Sequence, residues 1–389
     1  MSLEAQLHEN PAAIHWQLGA IFVSLELSRS KWLITSLSPG GGEKMPKHMI
    51  VASDLAGLFS LLQGLRGKAR ERTGMDYPVI AIQEAGLDGF WIHRSLEAAG
   101  VESHVVAPAS IAVSRHRRRV KTDRIDGEAL LRALMAYKRG EPRVCAMVRA
   151  PTPRDEDRRR LIRERKTLVT ERTLHVNRIK GLLFSQGIGD YEPRHRDRHT
   201  SLATLTTGDG RPLPPHLRAL IERELERLEL VMEQIRKIEV ERDAMIEEEK
   251  ADAPTPPPVM LRTLKGIGPE FAAVLWSEGL FRQFDNRRQV AAYAGLAPTP
   301  WQSGMINHDQ GVSKAGNPRL RTTMIQIAWL WLRHQSDSSL SRWFQQRVTL
   351  NGGRQKQRAI VALARKLLVA LLKFVTAGVV IEGAVMSKP

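Results

Sequence analysis

The spacing of hydrophobic positions changes along the chain. Residues 18 to 35 mix and alternate β-formers (Ala20, Ile21, Phe22, Val23, then Trp32, Leu33, Ile34, Thr35), and Ser38-Pro39-Gly40-Gly41-Gly42 follows as a turn signal. A strand entering a hairpin is expected there. Pro78 to Gln83 is a short apolar run of the kind a buried strand carries, and it ends at Glu84. Ser103 to Val106 reads as another strand, and residues 54 to 66 and 88 to 99 read as helices. Strands alternating with helices predict an α/β sheet.

From Arg154 to Ser185 the pattern turns helical and basic, and a Gly/Pro/His-rich insert follows over 187 to 216. A long helix is expected over 217 to 250. There Ile221, Leu225, Leu228, Met232 and Ile235 fall at steps of four and three, a coiled-coil seam suited to joining two copies. Ala253-Pro254-Thr255-Pro256-Pro257-Pro258 cannot continue a helix and marks a boundary. Residues 259 to 389 read as mainly α with one long loop from Ala297 to Asn317, and Trp329 and Trp331 are expected in the core of an apolar helix. The expected order is therefore an extension (1–17), an α/β domain (18–150), a helical coiled-coil domain (151–252), a Pro-rich linker (253–258) and a C-terminal domain (259–389).

Composition narrows the partners. The 389 residues are 42% hydrophobic, enough for packed cores, and carry a net charge of +17. Residues 222 to 250 hold 11 acidic and 6 basic side chains, so the rest of the chain stands at +22. Such an excess favours a polyanion, nucleic acid first. A membrane is disfavoured: the most apolar stretch, 358 to 381, is interrupted by Arg365, Lys366 and Lys373, short of the roughly 20 apolar residues a span needs. Met1 to Gln17 carries charges and no apolar segment of the secretory kind. Cys145 stands alone, which excludes an intrachain disulfide and a cysteine-based zinc site and suits a reducing cytoplasm.

Candidate chemistry gathers in two places. Lys121-Thr122-Asp123-Arg124-Ile125-Asp126 opens an apolar periodic run, and Asp123 and Asp126 share a helix face. Like charges side by side repel unless something binds them, and Mg²⁺ (or Mn²⁺) favours carboxylate oxygens. The plain alternative is a helix start capped by Asp. Glu84 ends an apolar strand and Glu26 sits inside another, so three distant segments each present a carboxylate. The basic run Arg117, Arg118, Arg119, Lys121 and Arg124 adjoins them and suits steering of a phosphate backbone. The second place is C-terminal. Lys265-Gly266-Ile267-Gly268 is a Gly-rich turn before a helix, either a phosphate cradle resembling a helix-hairpin-helix element or an ordinary turn. Ser303 lies before Gly304, a pair that by itself is usually an ordinary turn, with Lys314, Arg319 and Arg321 downstream as candidate phosphate ligands.

These blocks resemble the transposases of the insertion-sequence "one-ten" family, the DEDD transposases. The matching segments are Leu25-Glu26-Leu27-Ser28, Ile82-Gln83-Glu84-Ala85-Gly86, Lys121 to Asp126, and the long block from Gly266-Ile267-Gly268 to Leu320-Arg321. The resemblance implies a RuvC-like, RNase H-like catalytic domain over 18–150 and a C-terminal transposase domain over 259–389. It places the family's acidic site on Glu26, Glu84, Asp123 and Asp126, with divalent metal, and its DNA-attacking serine on Ser303. It further implies donor and target DNA, a structured guide RNA, homodimers or homotetramers, and a prokaryotic cytoplasm at the nucleoid. Glu26 departs from the family's Asp, and Gly127 stands where a helix-favouring residue is usual, an expected fraying of the helix start. Two other readings stay open: a nuclease that only hydrolyses, without Ser303, and a nucleic-acid-binding protein whose acids are structural.

Overall fold

A computed structural model describes residues 18–86, 89–111, 123–141, 144–248, 256–280, 282, 284, 286–303, 306–313, 316–350 and 356–387. The chain divides into two units, Met1–Pro151 and Thr152–Pro389.

The first unit is a mixed five-stranded sheet with helices. Its elements run β1 (Ile21–Leu27), β2 (Lys31–Leu37), β3 (Lys47–Val51), α1 (Leu55–Thr73), β4 (Val79–Glu84), α2 (Trp91–Ala98), β5 (Glu102–Val106) and α3 (Asp123–Lys138). The strand order is β3-β2-β1-β4-β5. β1, β2 and β3 pair antiparallel, while β1–β4 and β4–β5 pair parallel. The run expected to be one strand is in fact two. Ser28 Oγ donates to the Lys31 carbonyl at 2.5 Å and accepts from its amide at 3.2 Å. That local side-chain bonding competes with the ladder and turns the chain. The period-two alternation then sorts the two faces. Ile21, Val23 and Leu25 pack with Leu58, Leu62, Ile92 and Leu96 of α1 and α2. Phe22, Ile80 and Ile82 pack with Leu130, Leu131 and Leu134 of α3.

The second unit contains α4 (Pro153–Phe184), α5 (Arg198–Thr204), α6 (Pro215–Glu248), α7 (Pro257–Arg262), α8 (Pro269–Leu275) and a π turn (Trp276–Leu280). It continues with α9 (Arg287–Tyr293), β6 (Pro298–Ser303), β7 (Ile306–Val312), α10 (Pro318–His334), α11 (Ser339–Leu350) and α12 (Lys356–Ala377). α4 and α6 run antiparallel: Arg165 Nε donates to Glu239 at 2.8 Å, and His175 Nδ1 meets Glu224 at 2.7 Å further along. The expected intermolecular seam is corrected by this pairing. Ile221, Leu225 and Leu228 are buried with Ile179 and Leu183 of α4, and Ile235 with Leu168, all inside one chain. The 187–216 insert closes the end of this pair, contributing Tyr191, Leu202 and Leu213 to the same cluster.

Three further expectations change. The 297–317 loop contains a hairpin, β6–β7, in which Ser303 pairs with Ile306. Pro298 and Pro300 fit there because both strands of a two-stranded ribbon are edges, where proline is tolerated. The Pro-rich linker ends inside α7, because proline is tolerated in a helix's first turn. Trp331 is buried in the core built by α10 and α12, but Trp329 is 41% exposed, with Lys356 Nζ 5.5 Å from its ring. Among the described residues no helix is long and apolar enough to cross a membrane.

Candidate active site

Register brings two of the carboxylates together. The parallel β1–β4 ladder pairs Leu25 with Gln83, so the next residues, Glu26 and Glu84, stand side by side at the ends of adjacent strands. Both continue the face that carries Ser24 and Ile82, the face that α3 covers. α3 approaches closely there. Ser24 Oγ donates to the Gly127 carbonyl at 2.9 Å, and Lys47 Nζ of β3 bonds Glu128 at 2.8 Å. A Cβ on Gly127 would overlap Glu26 Oε1 and lie 2.5 Å from Thr35 Oγ1. The glycine expected to fray this helix therefore has a packing reason: it lets the first turn of α3 sit directly on Glu26.

Asp123 and Asp126 belong to that first turn. Their side chains, and that of Arg124, lie outside the described residues, as do Arg117, Arg118, Arg119 and Lys121 altogether. Among the described residues no cluster of three or more His, Cys, Asp or Glu side chains forms a metal site. The backbone nonetheless carries all four acidic positions to one end of the sheet. On the same face Ser24 and Thr35 are buried beside Glu26. An oxygen-only donor set of this kind fits Mg²⁺ or Mn²⁺.

In the second unit Ser303 ends β6, and its side chain, like Lys314, lies outside the described residues. The Gly316-Asn317-Pro318-Arg319 segment proves to be scaffold. Gly316 has φ +115°, and a Cβ there would lie 2.5 Å from the Tyr293 carbonyl. Asn317 Oδ1 accepts from the amides of Arg319 and Leu320 and caps α10. Its Nδ2 donates to Glu278 Oε2 at 2.9 Å. Arg319 is only 12% exposed, donates to the Ile162 carbonyl at 2.6 Å, and lies 3.7 Å from Glu278. Arg321 is half-buried in the first turn of α10.

Sequence reasoning missed the centre of this network. Glu278 is fully buried in the π turn, a helix irregularity frequent at functional sites. Arg163 holds it bidentately at 2.9 and 3.1 Å, and Arg159 approaches at 3.4 Å. Burial alone would raise its carboxyl pKa. Hydrogen bonds from Arg163 and Asn317, and the charges of Arg163 and Arg159, outweigh that and hold it below the ordinary carboxylate range. The available signal was a lone acid in the apolar run Phe271 to Leu280.

The Gly-rich turn packs on one side against α10. Gly266 has φ +94° and lies against His334, Gly268 caps the seven-residue α8, and Lys265 is exposed. The Lys265 carbonyl accepts from Gln335 Nε2 at 2.8 Å.

A family model for IS116/IS110/IS902 transposases matches residues 259–343. A putative transposase, y4rJ, of Sinorhizobium fredii is 70% identical over 98% of both chains. The chain belongs to this transposase family. More distant relatives span much of its length. The transposase of insertion element IS1111A from Coxiella burnetii is 28% identical over 74% of each chain. That of IS1328 from Yersinia enterocolitica is 28% identical over 80% of this chain and 86% of its own. A transposase processes DNA, which gives the basic chain its polyanionic partner.

Proposed function

We propose that this transposase cuts and rejoins DNA with two parts: a carboxylate site formed by Glu26, Glu84, Asp123 and Asp126, and the hydroxyl of Ser303. The observation that carries the reading is the seating of α3 on Glu26 through Gly127, beside Glu84. The β3-β2-β1-β4-β5 order, antiparallel then parallel, supports an RNase H-like, RuvC-like domain. Glu26, one methylene longer than aspartate, reaches the end of its strand from a position covered by α3, and Ser24 holds that helix in place. Bound divalent metal, Mg²⁺ or Mn²⁺, would neutralise charge developing on a scissile phosphate. The four carboxylates would hold it.

Ser303 Oγ attacks phosphorus. An Oγ–P bond forms, a P–O bond of the strand breaks, and the departing sugar oxygen takes the serine's proton. Attack by another strand's hydroxyl reverses these steps and rejoins DNA without loss of the phosphodiester to water. A structured guide RNA belongs to the same reading, and the +22 balance outside the acidic helix suits two nucleic acids. Assembly of copies would use a surface other than the buried seam of α6.

The test is strand joining by purified protein on element-end DNA in Mg²⁺. Ser303→Ala should abolish joining and leave DNA binding intact. Continued cutting by that variant would replace the proposal with simple hydrolysis. Asp123→Ala with Asp126→Ala should stop both cutting and joining, and retained joining would dismiss the carboxylate site. A discrete RNA co-purifying with the protein is expected, and its absence would remove the guide.

A further inference from the structure

The strongest unassigned feature lies on α9, α11 and α12, half of it beyond the segment matched by the family model. Two grooves of about 800 and 830 Å³ share Pro298, Arg365 and Lys366. Cavities of about 300–1,000 Å³ ordinarily hold a drug-sized molecule, so each has room for a short piece of polymer. Six of the lining cations are Arg287, Arg288, Arg358, Arg365, Lys366 and Lys373, and no acidic residue lines either groove. None of the six forms a salt bridge among the described residues, whereas the arginines of α4 pair with Glu278, Glu270, Glu239 and Glu224.

We infer that this continuous basic cleft binds a single-stranded nucleic-acid segment. On α12, Arg358, Arg365 and Lys366, and Lys373 recur at intervals of about two helical turns, roughly 10 Å of rise. They therefore line one face, and Arg287 and Arg288 face the same cleft from α9. Between the cations the wall is aliphatic, from Val361, Ala362, Val369 and Leu340. Duplex DNA keeps its base faces stacked inside, so its sugar–phosphate backbone gains little from such a wall. An unpaired strand sets its phosphates on the cations and its bases on the apolar surface. Pro298 begins β6, whose far end is Ser303, so the cleft reaches the start of the strand that carries the proposed nucleophile.

This rests on the nucleic-acid reading above, and its test is separate from cleavage. Full-length protein is titrated against fluorescein-labelled mixed-sequence DNA and RNA strands of about 20 nucleotides, longer than common site sizes of about 4–16. A duplex of the same sequence is the third arm, and anisotropy is followed across a salt series. Arg365→Ala with Lys366→Ala should weaken binding of at least one single strand about tenfold and lower its salt slope by about 1.4, two phosphate contacts at about 0.7 each. The arm with the larger loss identifies DNA or RNA as the occupant. Arg236→Ala with Lys237→Ala on α6 removes the same charge and should leave binding unchanged. Arg358→Ala with Lys373→Ala should repeat the loss without touching Lys366, which lies 4.8 Å from the Trp343 ring.

Unchanged strand binding in both groove variants overturns the inference, as does an equal loss in the α6 control. Loss confined to the duplex arm, or a wild-type protein that binds no single strand, also overturns it. Wild-type joining that survives unchanged strand binding removes the cleft alone. Failure of Ser303→Ala to stop joining concerns only the serine.

Discussion

Gly127→Ala places one methyl group at the most crowded point of the candidate site. The new Cβ would overlap Glu26 Oε1, lie 2.5 Å from Thr35 Oγ1 and 3.3 Å from Ser24 Oγ. The Glu26 side chain can swing away. Thr35 is buried in β2 and Ser24 is bonded to the Gly127 carbonyl, so neither yields freely. Restoring an ordinary contact of 3.4 Å to Thr35 moves the start of α3 by roughly 1 Å. Overpacking of this kind costs about 1–3 kcal/mol. Replacing a helical glycine by alanine returns about 0.5–1 kcal/mol. The net change in stability is therefore small, about 0–2.5 kcal/mol of destabilisation.

Activity should respond out of proportion. Displacement by about 1 Å of groups that hold a reacting centre can cost about 100-fold in rate. The helix that moves carries Asp123 and Asp126, and the side chain that swings is Glu26. We therefore expect Gly127→Ala to retain its fold and DNA binding while strand joining falls by about two orders of magnitude. The assays are single-turnover joining in Mg²⁺ beside thermal unfolding. A folded variant that joins at the wild-type rate would refute the reasoning, because the close seating of α3 on β1 would then have no catalytic consequence.

Two structural predictions accompany it. Glu278→Gln removes the charge that holds Arg159, Arg163 and Arg319 together and should cost about 3 kcal/mol, measured by urea unfolding at pH 7. The pH dependence follows from the lowered pKa of Glu278. Its stabilisation is fully present above the unfolded value of about 4.3 and is lost as pH falls through the lower folded value, so the variant should lack this part of the acid-induced loss. Gly316→Ala should destabilise by more than about 2 kcal/mol, since the added Cβ meets a backbone carbonyl and φ is positive. A melting temperature equal to wild type would dismiss that role for the glycine.

The α/β sheet was legible because period-two alternation and short apolar runs are local signals. Glu26 and Glu84 could be nominated because each interrupts or ends such a run. Their adjacency was not legible, because it depends on the parallel register of β1 and β4 across some 58 residues of intervening chain. The seam of α6 was read correctly as apolar and incorrectly as intermolecular. A periodic stripe says that a partner exists and not which helix supplies it, and here α4 does. The 298–312 hairpin was read as part of one long loop. Arg319 looked like a phosphate ligand because sequence records charge and not burial.

That last error bears on how a basic chain meets nucleic acid. Net charge counts every cation equally, but a guanidinium spent on a buried carboxylate has little left for a phosphate. Arg159, Arg163 and Arg319 surround Glu278, Arg178 and Arg227 hold Glu224, and Arg165 and Arg242 meet Glu270. These arginines brace the helices of the second unit. The cations along α12 and at the start of α9 have no such acids beside them. Binding to a polyanion releases counterions only where a side chain is free to replace them, so the salt dependence of binding should track the second group and be insensitive to the first. The division between bracing and binding arginines is thus set by where carboxylates lie in the folded chain, a property that neither the total charge nor the local motif contains.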